Sequence, residues 1–434
     1  MSVDRGSRAL EVIRDPLWDN ITLDETALSL VDSAPFQRLR YVRQLGHAFL
    51  VYPGATHGRF EHGLGAYHLT RRALAALEVR GELVGISDED RMAVTLAALL
   101  HDVGHYPFSH ALEEAGFPSH EAQGEARLTS GVLHERLVAI GGSRFPGRVA
   151  DLIRTRSRSP LQGLISGTLD LDKIDYLCRD SRMCGVPYGT VDVDRLLGAI
   201  TMVPAGPLGG RTLGVQEKGV SALESLLFSK YQMYRNVYWH HAVRSATCMF
   251  KRAARGAVRR GIVTLEQVAR LTDDELMQIL IEKDRNPLAT ALRERRLYKR
   301  ALDLPGSEVH AATPEWVAED PDLLEQVEDA LAVELGLAPG ELLLDFPSRH
   351  SMLGVDLPLR LRDGSVERLT DEGRAGHLGL PRIAGELYQS ARRLRVFVAR
   401  PVADPLDRVV GLIARPAMDI AAGLAEKRRL LKQS

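Results

Sequence analysis

Two stretches crowd histidine into otherwise helical sequence, "GRFEHGLGAYHL" (58–69) and "LLHDVGHYPFSH" (99–110). Eight of the fourteen histidines (His47, His57, His62, His68, His101, His105, His110, His120) fall between 47 and 120. A buried imidazole needs a hydrogen-bond partner, so this density means either several partnered core histidines or a site. The adjacent pair His101–Asp102 offers an imidazole and a carboxylate side by side. Neighbours on a helix point about 100° apart, so both reach one ion only near a helix end, and Gly104 and Pro107 predict such an end. Mixed nitrogen and oxygen donors suit a harder transition metal or a Mg/Mn-type ion with open water positions better than a closed tetrahedral zinc. His62 and Asp172 extend the set to four ligands. Against this stands the common solvated His-Asp pair, so the case rests on the set.

The stretch "DLDKIDYLCRD" (170–180) adds a second cluster. Asp172, Tyr176 and Asp180 recur at i, i+4 and i+8, with Lys173 on the flank. One face thus offers a metal ligand, a cation of phosphate-binding type, an aromatic ring and a second carboxylate. The competing reading is a salt-bridged surface helix. His105 lies one turn after His101, on the same face.

Helices must position these residues. "SAPFQRLRYVRQLG" (33–46) reads as a helix with Ser33 as N-cap, Pro35 in its first turn and Gly46 as its stop. "YHLTRRALAALEVRG" (67–81) has apolar residues at helical spacing and stops at Gly81. "SDEDRMAVTLAALLHDVGH" (87–105) is capped by Ser87 and carries three early acids, which suit the positive end of a helix dipole. Residues 169–185 and 220–261 are further helices, the latter long enough to predict a kink or break. Beyond 303–314 the texture changes. Short β-prone runs at 341–346, 357–369 and 394–402 lie among turns, with Asp-Gly in "LRDGSV" as a hairpin signal. The expected fold is mainly α: a helical body over 1–302 and a smaller mixed α/β lobe over 303–434.

Lys and Arg number 56 and Asp and Glu 57, for a net charge of −1, so no global field draws the chain to nucleic acid or acidic lipid. Three cysteines make no disulfide framework and fit a reducing compartment. There is no apolar run of signal-peptide or membrane-span length, so a cytoplasmic protein is expected.

"RFEH", "LLHDVGHYPFSH" and "LDLDKIDYLCRD", in this order, closely resemble the HD-domain phosphohydrolases, and within them the deoxynucleoside triphosphate triphosphohydrolase branch. "DSAPFQRLRYVRQLGHAFLVYPGATHGRFEHGLGAYHL" (32–69) resembles that branch nearly throughout. The resemblance is strong over about 10–300 and weak beyond. It implies a divalent metal (Mn, Mg, Fe or Zn) on His62, His101, Asp102 and Asp172. It implies His105 at a phosphate, with His110 and His120 completing the acid/base machinery. Glu113 stands where the family backs His110 with an aspartate. Arg59 and Lys173 would hold phosphates, Tyr176 and Asp180 would meet the sugar, and Gln44 and Leu45 would line sugar and base. Lys230 replaces a phosphate-binding arginine by a point charge. Asp32, Gln37 and Arg40 match contacts to a nucleotide activator, whereas Glu11 and Arg14 replace a lysine and an asparagine there.

The expected reaction is hydrolysis of dNTPs to deoxynucleoside and inorganic triphosphate, with His110 protonating the departing 5′-oxygen. The expected assembly is a homo-oligomer, dimer or tetramer. Alternatives are an HD hydrolase of another phosphate ester (a nucleoside monophosphate or modified nucleotide) and a single-stranded nucleic-acid binder using the basic stretches 154–160 and 251–260. Near-neutral charge and the lack of aromatics interleaved with those stretches disfavour the last.

Overall fold

The computed structural model describes residues 11–167, 169–205, 209–309, 313–348, 356–370, 380–403 and 406–431. It is mainly α, with small sheets attached to a helical body.

The helix Arg59–Val79 starts at Arg59 rather than near Tyr67, and the Glu61 carboxylate accepts from the Gly58 N–H at 3.0 Å. Its first half is buried on nearly every side, which blurs the apolar stripe that periodicity relies on. Gly65 is required there: a Cβ would lie 1.8 Å from Asp175 Oδ1. The helix expected over 33–46 is only Ala34–Gln37, followed by a 3-10 turn at Arg38–Tyr41. Ser33 is its N-cap residue, as expected, but its hydroxyl donates to the Leu30 carbonyl at 2.6 Å and makes no cap hydrogen bond. The chain leaves the helix to pair with 57–59 instead: Gln44 N donates to His57 O and Arg59 N to Val42 O. That pairing brings Gln44 and Leu45 alongside the histidine-bearing helix.

Asp88–Leu100 is capped by Ser87, and His101 is its C-cap, the helix end that the His-Asp pair requires. Leu171–Cys184 is capped by Asp170 and ends on Gly185 in the left-handed region, φ +68°. The long 220–261 stretch breaks into Val220–Met233, a π-helical segment Tyr234–Tyr238, and His241–Arg259.

The strands are β1 (Glu11–Asp15), β2 (Asp19–Leu23), β3 (Ile200–Pro204), β4 (Arg211–Gln216), β5 (Lys299–Pro305), β6 (Leu342–Asp345), β7 (Leu357–Arg360), β8 (Val366–Leu369) and β9 (Arg393–Val398). β1 and β2 form a hairpin; the other sheets have orders β3-β4-β7-β8 and β5-β9-β6. The Asp-Gly hairpin is β7–β8, and β7 pairs in parallel with β4 of the body. The expected boundary at 302/303 falls inside β5. Leu357, Leu359 and Leu369 enter the same core as Leu64, Leu99 and Ile174, while Phe397 packs with Phe108 and Phe250. Unpaired strand edges and apolar faces drive this joining.

The basic stretch 251–260 is not a free cationic surface. Arg252 pairs with Asp329, Arg255 with Asp322 and Glu325, Arg259 with Glu325, Arg260 with Asp284 and Lys251 with Glu114. In 154–160, Arg154 meets Glu121 and Arg156 meets Glu125. No helix of the described residues is long and apolar enough to cross a membrane.

Candidate active site

His62 and His101 come from different helices and meet nitrogen to nitrogen, their Nε2 atoms 3.1 Å apart. The opposite nitrogens are both committed. His62 Nδ1 lies 2.8 Å from Asp175 Oδ2, and His101 Nδ1 lies 2.8 Å from the Ala98 carbonyl oxygen. A carbonyl only accepts, so His101 Nδ1 carries a proton and Nε2 is the nitrogen turned toward the cluster; burial disfavours charge on this ring, but Asp102 and Asp172 raise its pKa. Asp172 Oδ1 is 2.9 Å from His62 Nε2 and 3.5 Å from His101 Nε2. Asp102 contributes Oδ2 at 3.5 Å from His62 Nε2 and Oδ1 at 3.4 Å from His101 Nε2. Lone pairs and carboxylates pointed at one spot repel unless a cation lies among them. Burial disfavours charge on His62, yet hydrogen bonds to Asp172 and Asp175 and the Asp102 charge outweigh it and push the imidazolium up to about 10. The donor set therefore fits a divalent cation, which would take the place of the His62 proton.

Asp175, unassigned in the sequence reading, is the outer support of this cluster. It binds His62, accepts from Trp18 Nε1 and pairs with Arg179, which also pairs with Asp15. Its signal was present in "DLDKIDY": Asp175 sits one turn beyond Asp172 on the same helix.

Four further side chains form a second cluster, His105, His110, Glu113 and His120. Glu113 joins it, with Oε1 3.2 Å from His110 Nδ1 and 3.0 Å from His120 Nδ1. Burial disfavours the Glu113 carboxylate, but the two imidazoles hold its pKa well below the usual range. The longer side chain in place of the family's aspartate thus reaches both rings. His105 stacks on His120 with centroids 3.8 Å apart. Its Nε2 lies 3.1 Å from Asp102 Oδ1 without the alignment of a hydrogen bond. Burial, then Arg59 and His120, hold it neutral.

Local backbone places these rings. A Cβ at Gly104 would sit 2.0 Å from the His120 carbonyl oxygen, so only glycine lets the His120 helix pass this closely. Phe108 and Ser109 both take left-handed conformations, φ 57° and 59°, held by Phe108 N donating to Asp273 and Ser109 Oγ to the Arg43 carbonyl. These strained residues set the direction of His110, which is exposed.

A cavity of about 760 Å³ opens beside both clusters. Gln44, Leu45, Arg59, His110, Glu113, Tyr176 and Asp180 all line it. Arg59 bridges cavity and cluster: it is buried, donates to Asp102 Oδ2 and, through Nε, to Ser109 Oγ at 2.9 Å. Lys173 is held by Asp170 and the Gly167 carbonyl, so its ammonium must leave a partner to meet a phosphate. Lys230 is near enough to Lys173 that burial and that neighbouring charge lower its ammonium to about 8. Asp180 receives the Tyr238 hydroxyl at 2.7 Å and lies 2.8 Å from His57 Nε2. His57 therefore orients a carboxylate of the cavity. His68 stacks on Trp18.

Asp32, Gln37 and Arg40 lie apart from this cavity. Gln37 binds the Val31 carbonyl and Arg40, and the Arg40 guanidinium covers the Phe60 ring at 3.4 Å. Asp32 is an exposed helix C-cap. Arg14 is engaged by Asp19 and Asn20.

The HD domain model matches residues 59–180, and the HD associated region model matches 191–373. The chain carries an HD domain. All four residues of the His/Asp cluster, both partners of Glu113 and the Lys173–Asp180 face fall inside this HD domain, while Lys230 and Tyr238 belong to the HD associated region. The chain is 37% identical over 294 residues to an uncharacterised protein of Methanocaldococcus jannaschii, covering 68% of this chain and 60% of that one. It is 26% identical to the deoxynucleoside triphosphate triphosphohydrolase SAMHD1 of Gallus gallus, covering 67% and 56%. The chain thus spans between half and two thirds of the length of these curated relatives. A hypothetical protein from Aquifex aeolicus superposes with a TM-score of 0.71 at 27% identity, covering 98% of this chain and all of that one. A phosphohydrolase from Bacteroides thetaiotaomicron shares the fold, with a TM-score of 0.69 at 22% identity over 90% of this chain and all of that one.

One histidine lining the HD-domain cavity has a consequence for stability. His47 is buried with neither ring nitrogen bonded, and burial, then the Arg43 charge, lower it to about 3 from 6.5. The unfolded chain takes up this proton near pH 6.5 and the folded chain only near pH 3, so stability falls as pH drops between these values. The slope is about 1.4 kcal/mol per pH unit. Urea unfolding of wild type and His47→Phe from pH 7 to 4 checks this. The wild type is expected to lose more stability than the variant by that slope, and parallel losses would refute it.

Proposed function

We propose that this protein is a metal-dependent phosphohydrolase that converts deoxynucleoside triphosphates to deoxynucleoside and inorganic triphosphate. The observation that carries the reading is the convergence of His62 Nε2, His101 Nε2 and the Asp102 and Asp172 carboxylates beside a nucleotide-sized cavity. A divalent ion held by these four would polarise water and neutralise charge on the phosphate.

The residues of the chain do the rest. Arg59 and His105 sit where an α-phosphate next to the cluster would lie, and Lys173 and Lys230 supply positive charge further along the chain of phosphates. Tyr176 and Asp180 meet the deoxyribose: the ring packs where a 2′-hydroxyl would otherwise fit, and the carboxylate accepts from the 3′-hydroxyl. Water attacks the α-phosphorus, the P–O5′ bond breaks, and the 5′-oxygen takes a proton from His110. Glu113, fixed on His110 and His120, orients the donor and stabilises its charged form. The resemblance to nucleotide-activated relatives extends the reading to a homo-oligomer, with Asp32, Gln37 and Arg40 as activator contacts.

Purified protein is incubated with each dNTP and Mn²⁺ or Mg²⁺, with and without GTP, and the products are separated. Deoxynucleoside plus triphosphate is the expected result. Intact dNTPs under every condition, with phosphate released from a nucleoside monophosphate instead, would replace this reading by hydrolysis of another phosphate ester.

A further inference from the structure

His110 lies in a segment, 108–116, that regular structure does little to fix: a three-residue 3-10 turn, Ser109–Ala111, follows directly on left-handed Phe108. Its ring meets the Glu113 carboxylate at 3.2 Å, so its direction follows that of Glu113. Glu114, the next residue, faces the other way, toward the helix His241–Arg259. There Arg244 Nη1 and Nη2 donate to its two oxygens at 3.0 and 2.9 Å, and Lys251 Nζ donates at 3.2 Å. The second edge of the Arg244 guanidinium is taken by Asp345 of β6, with Nε donating at 3.1 Å and Nη2 at 2.6 Å. Arg244 is 5% exposed. About three turns along the same helix face, Arg255 repeats the arrangement. Its Nη1 donates to the Ala115 carbonyl at 2.5 Å, while Nε reaches Glu325 at 2.9 Å and Nη2 reaches Asp322 at 2.6 Å. Both acids lie on the helix Pro321–Glu334. Each guanidinium thus holds the acid/base segment with one side and an acid from the last third of the chain with the other.

We propose that β6 and the helix Pro321–Glu334 position the acid/base pair His110–Glu113, with Arg244 as the positioning residue through which they act; this rests on the hydrolase reading above, in which His110 protonates the leaving oxygen. Glu113 and Glu114 are consecutive, so a shift of one moves the other. A planar fork bonded along two edges to two carboxylates fixes their relative place, which a point charge does not. Buried as it is, Arg244 cannot exchange either partner for water without a large penalty. A general acid acts only within hydrogen-bond reach of the atom it protonates, and a misplacement of about 1 Å costs on the order of a hundredfold in rate. The partners of Arg244 and Arg255 lie outside the His/Asp cluster, so this positioning is separable from metal binding.

The test is Asp345→Asn in the full chain, which removes charge on the side of Arg244 away from the acid/base segment. The expected result is a fall in kcat for dNTP hydrolysis of about thirtyfold, with KM changed less than about twofold and metal content unchanged. In a His110→Ala background the same substitution is expected to cost less than about twofold, because the donor that it positions is gone. Deuterium exchange is expected to rise over 108–116 and to stay unchanged over the helix Asp88–Leu100. An unchanged kcat overturns the proposal, as does an equal loss in the His110→Ala background or a loss that follows metal content. If Asp345→Asn does not fold, Glu114→Gln, at a side chain 39% exposed, is read the same way. If the wild type hydrolyses no dNTP, the nucleotide reading fails and exchange alone decides. A rise confined to 108–116 then still supports the positioning, and unchanged exchange there still overturns it.

Discussion

Asp102→Asn is expected to lower kcat/KM for the proposed hydrolysis about a thousandfold. The substitution keeps shape and removes charge at the crossing point of the site. Asp102 faces His62 at 3.5 Å, His101 at 3.4 Å and His105 at 3.1 Å, and it pairs with Arg59. An amide cannot balance a dication as a carboxylate does, and its NH2 group would oppose the Arg59 guanidinium. Loss of about 4 kcal/mol of transition-state stabilisation, typical for a disabled metal centre, is that thousandfold. Initial rates together with metal content by plasma mass spectrometry check it. Activity within tenfold of wild type, at undiminished metal content, would remove Asp102 from the centre.

Arg179→Leu is expected to destabilise the fold by about 3–5 kcal/mol. Arg179 is 1% exposed and lies 2.9 Å from Asp175 and 2.7 Å from Asp15. Leucine would leave two buried carboxylates without their cation, although Trp18 and His62 still reach Asp175. Arg179→Lys, which keeps the charge but loses the fork, is expected to fall between. Urea unfolding measures the loss. The variant also loosens Asp175, and with it the orientation of His62, so its activity falls even where it is folded. Destabilisation below about 1 kcal/mol, the range of an exposed ion pair, would show the network to be dispensable.

Much of the centre was legible because its residues lie close in sequence. His101, Asp102 and His105 span one helix end; Asp172, Tyr176 and Asp180 span one helix face. Spacing along a helix turns directly into direction. The partners across the chain were not legible in this way. Nothing near His57 signals that it meets Asp180, 123 residues later, and nothing near Arg179 points to Asp15. Tyr238 lies in a π-helical segment that the length of 220–261 announced only as a break. The helix expected over 33–46 failed for a related reason: pairing of 42–44 with 57–59 outweighed local helical preference.

Residue types and order alone thus pointed to the mainly helical fold and to the four residues that meet in the His/Asp cluster. Tertiary structure decided which nitrogen of each imidazole is free, which carboxylates support it, and that Arg59 and Lys173 already rest on carboxylates. It also decided that strands from the last third of the chain enter the core of the body. The reason is physical: a helix fixes directions within a few turns, whereas hydrogen-bond partners and burial depend on which segments the whole fold brings together.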